Sequence, residues 1–258
     1  MSSFAHLFAR VGIGSASVDT RLEKSSYEQG ECVRGEVVIS GGKVAQEIEG
    51  IDLYLIVTER TEEGTKHHQW AKFRLTEPLQ IESGEIKNIP FTFQMPLDTP
   101  VSGGAFRTYL QTGLDVDSAV DPQDRDHIEV RFHRKNLAVY HALLHLGFRE
   151  VKDDGEEAWK YGINRRLRVQ EIEFRPGQQF RGTLDELEMT FTEEDGKPVA
   201  LLLVDRRARN LMGIIEEQLG VDDRLIRFAV KEEEAVQAEN PPTSLTQRLW
   251  EKIREQTG

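Results

Sequence analysis

One stretch of this chain is written twice. Residues 27–37 (YEQGECVRGEV) and 174–184 (FRPGQQFRGTL) share the pattern aromatic-x-x-Gly-x-x-apolar-Arg-Gly-x-apolar at a constant offset of 147 residues. The pattern describes a strand end, a turn and a new strand with a glycine inside it. Gly30 and Gly177 supply the turn, where a positive φ is expected. Gly35 and Gly182 fall within strand patterns, where a bulge or a close backbone approach is the usual reason for glycine. A repeat at this spacing predicts two units of similar build, each opening with the same hairpin. The length of 258 residues accommodates two modest domains with a sizeable buried core.

Alternation with a period of two recurs in both halves. In the first half it marks strands at 18–22, 33–39, 48–61, 70–75, 86–95 and 106–114. Ile51, Leu53, Leu55 and Val57 share one face. In the second half it marks 169–174, 184–192, 199–205 and 225–230, with residues 193–198 as a hairpin loop. Many short strands separated by turns predict antiparallel sandwiches. Helices are few. Asn136 and Gly147 bracket a helix over 137–146, Gly220 ends a second over 210–219, and Ser3 caps a short one at Phe4–Val11. A turn-rich stretch around Pro122 predicts the boundary between halves. Residues 231–243 read as a flexible acidic linker, and Ser244 to Gln247 as the capping box of a final helix. The predicted domains are therefore 1–126, 127–231, and a tail of linker and amphipathic helix at 232–258.

Charge narrows the function classes. With 33 Lys and Arg against 45 Asp and Glu, the net charge is −12. A surface field of that sign excludes a sequence-independent grip on nucleic acid or an anionic membrane. The single cysteine, Cys32, permits no internal disulfide, and a reducing cytoplasm is the expected compartment. The longest apolar run, Val199–Val204, is far below the ~18–20 residues of a membrane span. The first residues lack the long apolar core of a secretory signal, so none is expected.

Four stretches, residues 11–55 (VGIGSASVDTRLEKSSYEQGECVRGEVVISGGKVAQEIEGIDLYL), 106–130 (FRTYLQTGLDVDSAVDPQDRDHIEV), 169–191 (VQEIEFRPGQQFRGTLDELEMTF) and 201–211 (LLLVDRRARNL), resemble the bacterial sporulation-control (SpoOM) protein family. The resemblance runs over residues 8–230 and leaves 231–258 outside it. It implies an all-β, arrestin-like fold of two antiparallel β-sandwich domains with a few short helices. It also implies a cytoplasmic, non-enzymatic scaffold or regulator bearing on commitment to sporulation and on cell division. Expected partners are other proteins, including a second copy of the chain; no catalytic residue and no cofactor are carried over.

The densest carboxylate cluster is Asp115, Asp117, Asp121, Asp124 and Asp126. Read as a calcium loop, it has Asp115, Asp117 and Asp126 at positions one, three and twelve, but Ala119 and Val120 fall where a ligand and a glycine are required. The arrestin resemblance offers another reading, in which these aspartates meet Arg206, Arg207 or Arg209 in ionic contacts between domains. A plain solvated linker is the third. His141 and His145 share a helix face but lack the adjacent glutamate of a zinc motif, which favours packed or surface histidines. His67 and His68 point to opposite faces of a strand. Cys32 reads as a packed structural thiol. No nucleophile elbow and no phosphate-binding loop is present. Leu245, Leu249, Trp250 and Ile253 fall on one helical face that requires a groove, in this chain or on a partner. A calcium- or sugar-binding sandwich is the alternative function, and a metal-dependent hydrolase the third.

Overall fold

The computed structural model of the chain describes residues 16–116, 123–206 and 224–257; the side chains of residues 114–116, 123 and 206 lie outside that description. The predicted helices at 4–11 and 210–219 fall outside it as well. The chain is predominantly β, built from antiparallel sheets with few helices, as its alternation predicted. It divides into two compact units. The first holds residues 1–102 and 107–131, the second residues 103–106 and 132–258.

In the first unit, β1 (Ser17–Leu22), β3 (Cys32–Ser40) and β7 (Ile86–Gln94) form a three-stranded sheet in the order β1-β3-β7. The remaining strands are β2 (Ser26–Glu28), β4 (Gln46–Thr61), β5 (Gly64–Thr76), β6 (Leu79–Ile81), β8 (Phe106–Val116) and β9 (Gln123–Arg131). They make a second sheet in the order β2-β9-β8-β4-β5, with β6 beside β4. The β2–β9 pair is parallel. The two sheets face each other. Phe73 of β5 stacks on Phe93 of β7 at 4.3 Å between ring centroids. The Thr20 and Thr112 hydroxyls share a hydrogen bond of 2.6 Å. Ile51, Leu53, Leu55 and Val57 are fully buried between them, as the alternation requires. Of the stretch 113–126, read in sequence as the boundary, residues 113–116 end β8 and 123–126 open β9, which runs to Arg131, and residues 117–122 lie outside the described residues.

The second unit is built on one antiparallel sheet. Its strands are β10 (Arg149–Glu157), β11 (Arg168–Arg175), β12 (Leu184–Glu194), β13 (Lys197–Arg206) and β14 (Leu225–Phe228), in sequential order. The β12–β13 hairpin is tighter than the six-residue loop expected. Glu194 pairs with Lys197, leaving only Asp195 and Gly196, with φ of 50° and 71°, in the turn. Two positive φ angles give the twist that matches paired strands, and Asp-Gly tolerates both.

Two α-helices, α1 (Arg134–His145) and α2 (Thr243–Thr257), pack over one face of this sheet. The N-cap of α1 is His133, not Asn136: its Nδ1 accepts from the Lys135 amide at 3.1 Å. Burial, aided by Lys135 and Arg134, holds the His133 imidazole below its usual pKa, which preserves the neutral form that can accept. Gly147 ends the helix at φ 85°. The Phe148 amide donates to the Leu143 carbonyl at 3.1 Å and the Gly147 amide to Leu144 at 2.9 Å, a Schellman closure.

The repeat keeps its apolar positions but exchanges the roles of its glycines. Tyr27 and Phe174, Val33 and Phe180, and Val37 and Leu184 are all buried. Gly30 turns at φ 79°, and Gly35 sits where a Cβ would lie 2.7 Å from the Phe91 ring. In the second copy Gly177 is extended, and the close approach is its own: a Cβ would lie 2.6 Å from the Gly147 carbonyl oxygen. There it is Gly182 that takes the positive φ, 95°, in the turn before β12. The expected assignment of turn and close approach is thus reversed at Gly177 and Gly182.

Candidate functional site

Leu245, Leu249 and Ile253 recur every four residues, so they form one stripe along α2. All three are fully buried against Ala138, Ala142 and Phe228 in the core of the second unit. Trp250, one position round from Leu249, is only partly buried, and the Arg254 guanidinium lies 5.0 Å from its ring. The helix starts one residue before the expected Ser244, with the Leu245 and Thr246 amides donating to the Pro242 carbonyl at 3.0 and 3.2 Å.

The segment read as a flexible linker is structured. Glu232–Ala235 forms a single 3₁₀ turn in which Glu234 and Ala235 are buried. Glu232 bridges Arg134 and Lys135 of α1, each at 2.5 Å. Arg248 of α2 donates to Glu234 at 2.6 Å and to the Ala229 carbonyl at 2.9 Å, and lies 5.1 Å from the Phe228 ring. Burial opposes the charge on Glu234, yet Arg248 and the Lys231 amide hold its carboxyl below the usual range. These contacts, together with the apolar stripe, fix α2 to its own unit.

Two hollows open beside this helix. One, of about 250 Å³, is lined by Leu146, Gln179, Thr243, Thr246, Gln247 and Trp250. The other, of about 450 Å³, shares Leu146 and Gln179 and adds His145, Arg149, Arg181 and the Gly147–Gly177 contact. Leu146 is buried, while His145, Arg149 and Arg181 are exposed. Among the described residues no acidic side chain lines either hollow.

On the opposite face of the sheet lies a charged cluster that the sequence reading missed. The Lys160 ammonium reaches Glu188 at 2.8 Å, Glu171 at 3.2 Å and Glu156 at 3.7 Å. Tyr161, fully buried, donates to Glu171 at 2.5 Å. Burial raises the Glu188 carboxyl to about 7 even though Lys160 opposes the shift, with Glu171 adding to it. Burial works against the Lys160 charge, and the surrounding carboxylates more than restore it, pushing its pKa up. Glu171, Glu173, Glu186 and Glu188 all stand at alternate positions opposite the core-facing set of β11 and β12. That phase is the signal that could have marked them.

Of the predicted ionic residues, Asp124 and Asp126 are described. The side chains of Asp115, Asp117, Asp121, Arg206, Arg207 and Arg209 lie outside the described residues. Asp124 accepts the Thr20 amide at 2.6 Å within the first unit. Asp126 is pushed up to about 6 by burial and by the charge of Asp124, with Asp19 adding and His127 opposing. His67 reaches the Tyr109 hydroxyl at 3.1 Å and His68 reaches Glu59 at 2.9 Å, on the two faces their adjacency predicts. Cys32 is exposed rather than packed, its Sγ 3.0 Å from the Thr92 hydroxyl. Among the described residues no helix is long and apolar enough to cross a membrane.

Comparison with known proteins completes the picture. The SpoOM protein family matches residues 4–208. The sporulation-control protein spo0M of Bacillus subtilis (strain 168) is 41% identical over 240 residues, which are 91% of this chain and 92% of that protein. A crystal structure of Spo0M, sporulation control protein, from Bacillus subtilis aligns with a TM-score of 0.76 at 36% identity, covering 95% of this chain and 100% of that one. With its residues matched along nearly the full length of both chains, and the same fold beneath them, this chain belongs to the SpoOM family.

Proposed function

We propose that the protein is a non-enzymatic, arrestin-like scaffold of the cytoplasm that regulates commitment to sporulation or cell division through protein–protein contacts. The observation that carries this reading is the near full-length likeness to a sporulation-control protein in both sequence and fold. The charge balance of −12 supports it, because it turns the surface away from polyanionic partners. The face around Trp250 is the contact surface in this reading, since it pairs an exposed aromatic edge with open hollows. The test is complementation. The full chain is expressed in a Bacillus subtilis strain lacking spo0M, and heat-resistant spores are counted. Counts restored toward those of the parent strain support the regulatory role. A chain that is expressed and folded yet leaves the counts of the deletion strain unchanged overturns it.

A further inference from the structure

The two hollows lie beside the C-terminus of α1, where Leu146 lines both. The Schellman closure takes up the Leu143 and Leu144 carbonyls, and the Leu146 amide takes up that of Ala142 at 3.0 Å. The helix end therefore contributes few open acceptors, and side chains decide the charge of the larger hollow. Gly177 fits against the Gly147 carbonyl with no room for a side chain, and Phe148 packs on Phe180 at 5.3 Å between centroids. The larger hollow is thereby bordered by a close-packed backbone contact.

Two guanidinium groups border that hollow. Arg149 and Arg181 line the larger hollow beside His145, and among the described residues neither arginine forms an ion pair. Other arginines of the same unit are neutralised: Arg175 by Glu173 and Glu186, Arg227 by Glu194, Arg134 by Glu232. Two exposed guanidiniums on one hollow, without an ion pair among the described residues, in a protein of net charge −12, form a local site of opposite sign to the whole. The smaller hollow continues from it across Leu146 and Gln179 and ends on Trp250.

We propose that these joined hollows bind a short acidic peptide segment of a partner protein, its carboxylates on Arg149 and Arg181 and one apolar side chain against Trp250. The inference rests on the reading of the protein as one that acts through protein contacts. A short peptide feels the local cations within a Debye length of about 8–10 Å, whereas nucleic acid or an anionic membrane meets the repulsive field of the whole surface. Gln178 and Gln179, both exposed on the rim, supply amide groups for the peptide backbone.

The probe is a fluorescein-labelled peptide of sequence EDELEDE, titrated with the purified full chain and read by anisotropy. Saturable binding is expected, weakened about tenfold or more in an Arg149→Glu, Arg181→Glu double variant. Raising salt from about 50 to about 300 mM should weaken binding to the parent protein in the same direction. Replacing the peptide leucine by serine, or Trp250→Ala in the protein, should each weaken it further. Arg149→Gln with Arg181→Gln serves as a second variant should charge reversal disturb the fold, with circular dichroism as the check. No saturable binding, or binding indifferent to both double variants, overturns the proposal. So does tighter, arginine-dependent binding of phosphatidylserine vesicles or a single-stranded oligonucleotide than of the peptide. Because this assay uses purified protein, its outcome is separate from the spore counts.

Discussion

At Asp126 the carboxyl is raised from 3.8 to about 6, so the folded chain holds this proton more tightly than the unfolded one. Stability from the group is therefore complete below about pH 3.8 and is lost as pH rises through about 6. Above that window the ionised carboxylate is partly buried near Asp124 and Asp19 and is unfavourable. Asp126→Asn is expected to stabilise the protein by about 1 kcal/mol near neutral pH, a figure discounted for partial exposure. The gain should shrink toward about pH 4, where the parent carboxyl is protonated as well. Urea midpoints at the two pH values measure it; a variant no more stable than the parent at neutral pH contradicts the argument. This carboxylate was legible in sequence as part of a cluster. The partner of its neighbour Asp124 was not, because the Thr20 amide that donates to Asp124 lies 104 residues away.

Among the elements, α2 shows how a local pattern becomes a tertiary contact. The stripe of Leu245, Leu249 and Ile253 was visible from spacing alone, but its groove was not. An isolated helix of this length is marginal in water, so burial must hold it. Leu249→Ala is expected to destabilise the second unit by about 2–5 kcal/mol, since it opens a cavity in a fully buried site. Amide exchange across Thr243–Thr257 should rise while β3 and β4 in the first unit stay protected. Trp250→Ala should cost less, because its ring is only partly buried. An unchanged exchange pattern in the Leu249→Ala protein would show that the stripe contributes nothing to docking. The hairpin turn carries a similar lesson. The Glu-Glu-Asp-Gly-Lys-Pro run announced a loop, and strand register shortened it to Asp195-Gly196.

For the whole molecule, each unit closes its own core. The first buries its apolar positions between two sheets, and the second buries most of its own between one sheet and two helices, with a smaller cluster around Tyr161, Val169 and Leu201 apart from them. Thermal unfolding is expected to resolve into more than one calorimetric transition, because two-state behaviour belongs to single domains. The Leu249→Ala change should lower only one of them. A single transition whose calorimetric and van't Hoff enthalpies agree would show instead that the units melt together. The boundary at Arg131 depends on β9 pairing with β8, a contact across a turn-rich stretch that composition marked as a linker.

Sequence by itself determined what repeats locally. Period-two alternation put Ile51, Leu53, Leu55 and Val57 inward, Gly147 stopped a helix, and the four-residue spacing chose the buried face of α2. The family was legible too, because it is written in contiguous words. Tertiary structure alone decided which distant residues meet. It set Lys160 among Glu156, Glu171 and Glu188, gave Gly177 the close approach and Gly182 the turn, and joined Arg149 and Arg181 in one hollow. The reason is physical: a periodic pattern reports which face of an element is apolar, while charge pairing and hollows depend on the order in which strands and helices are laid side by side.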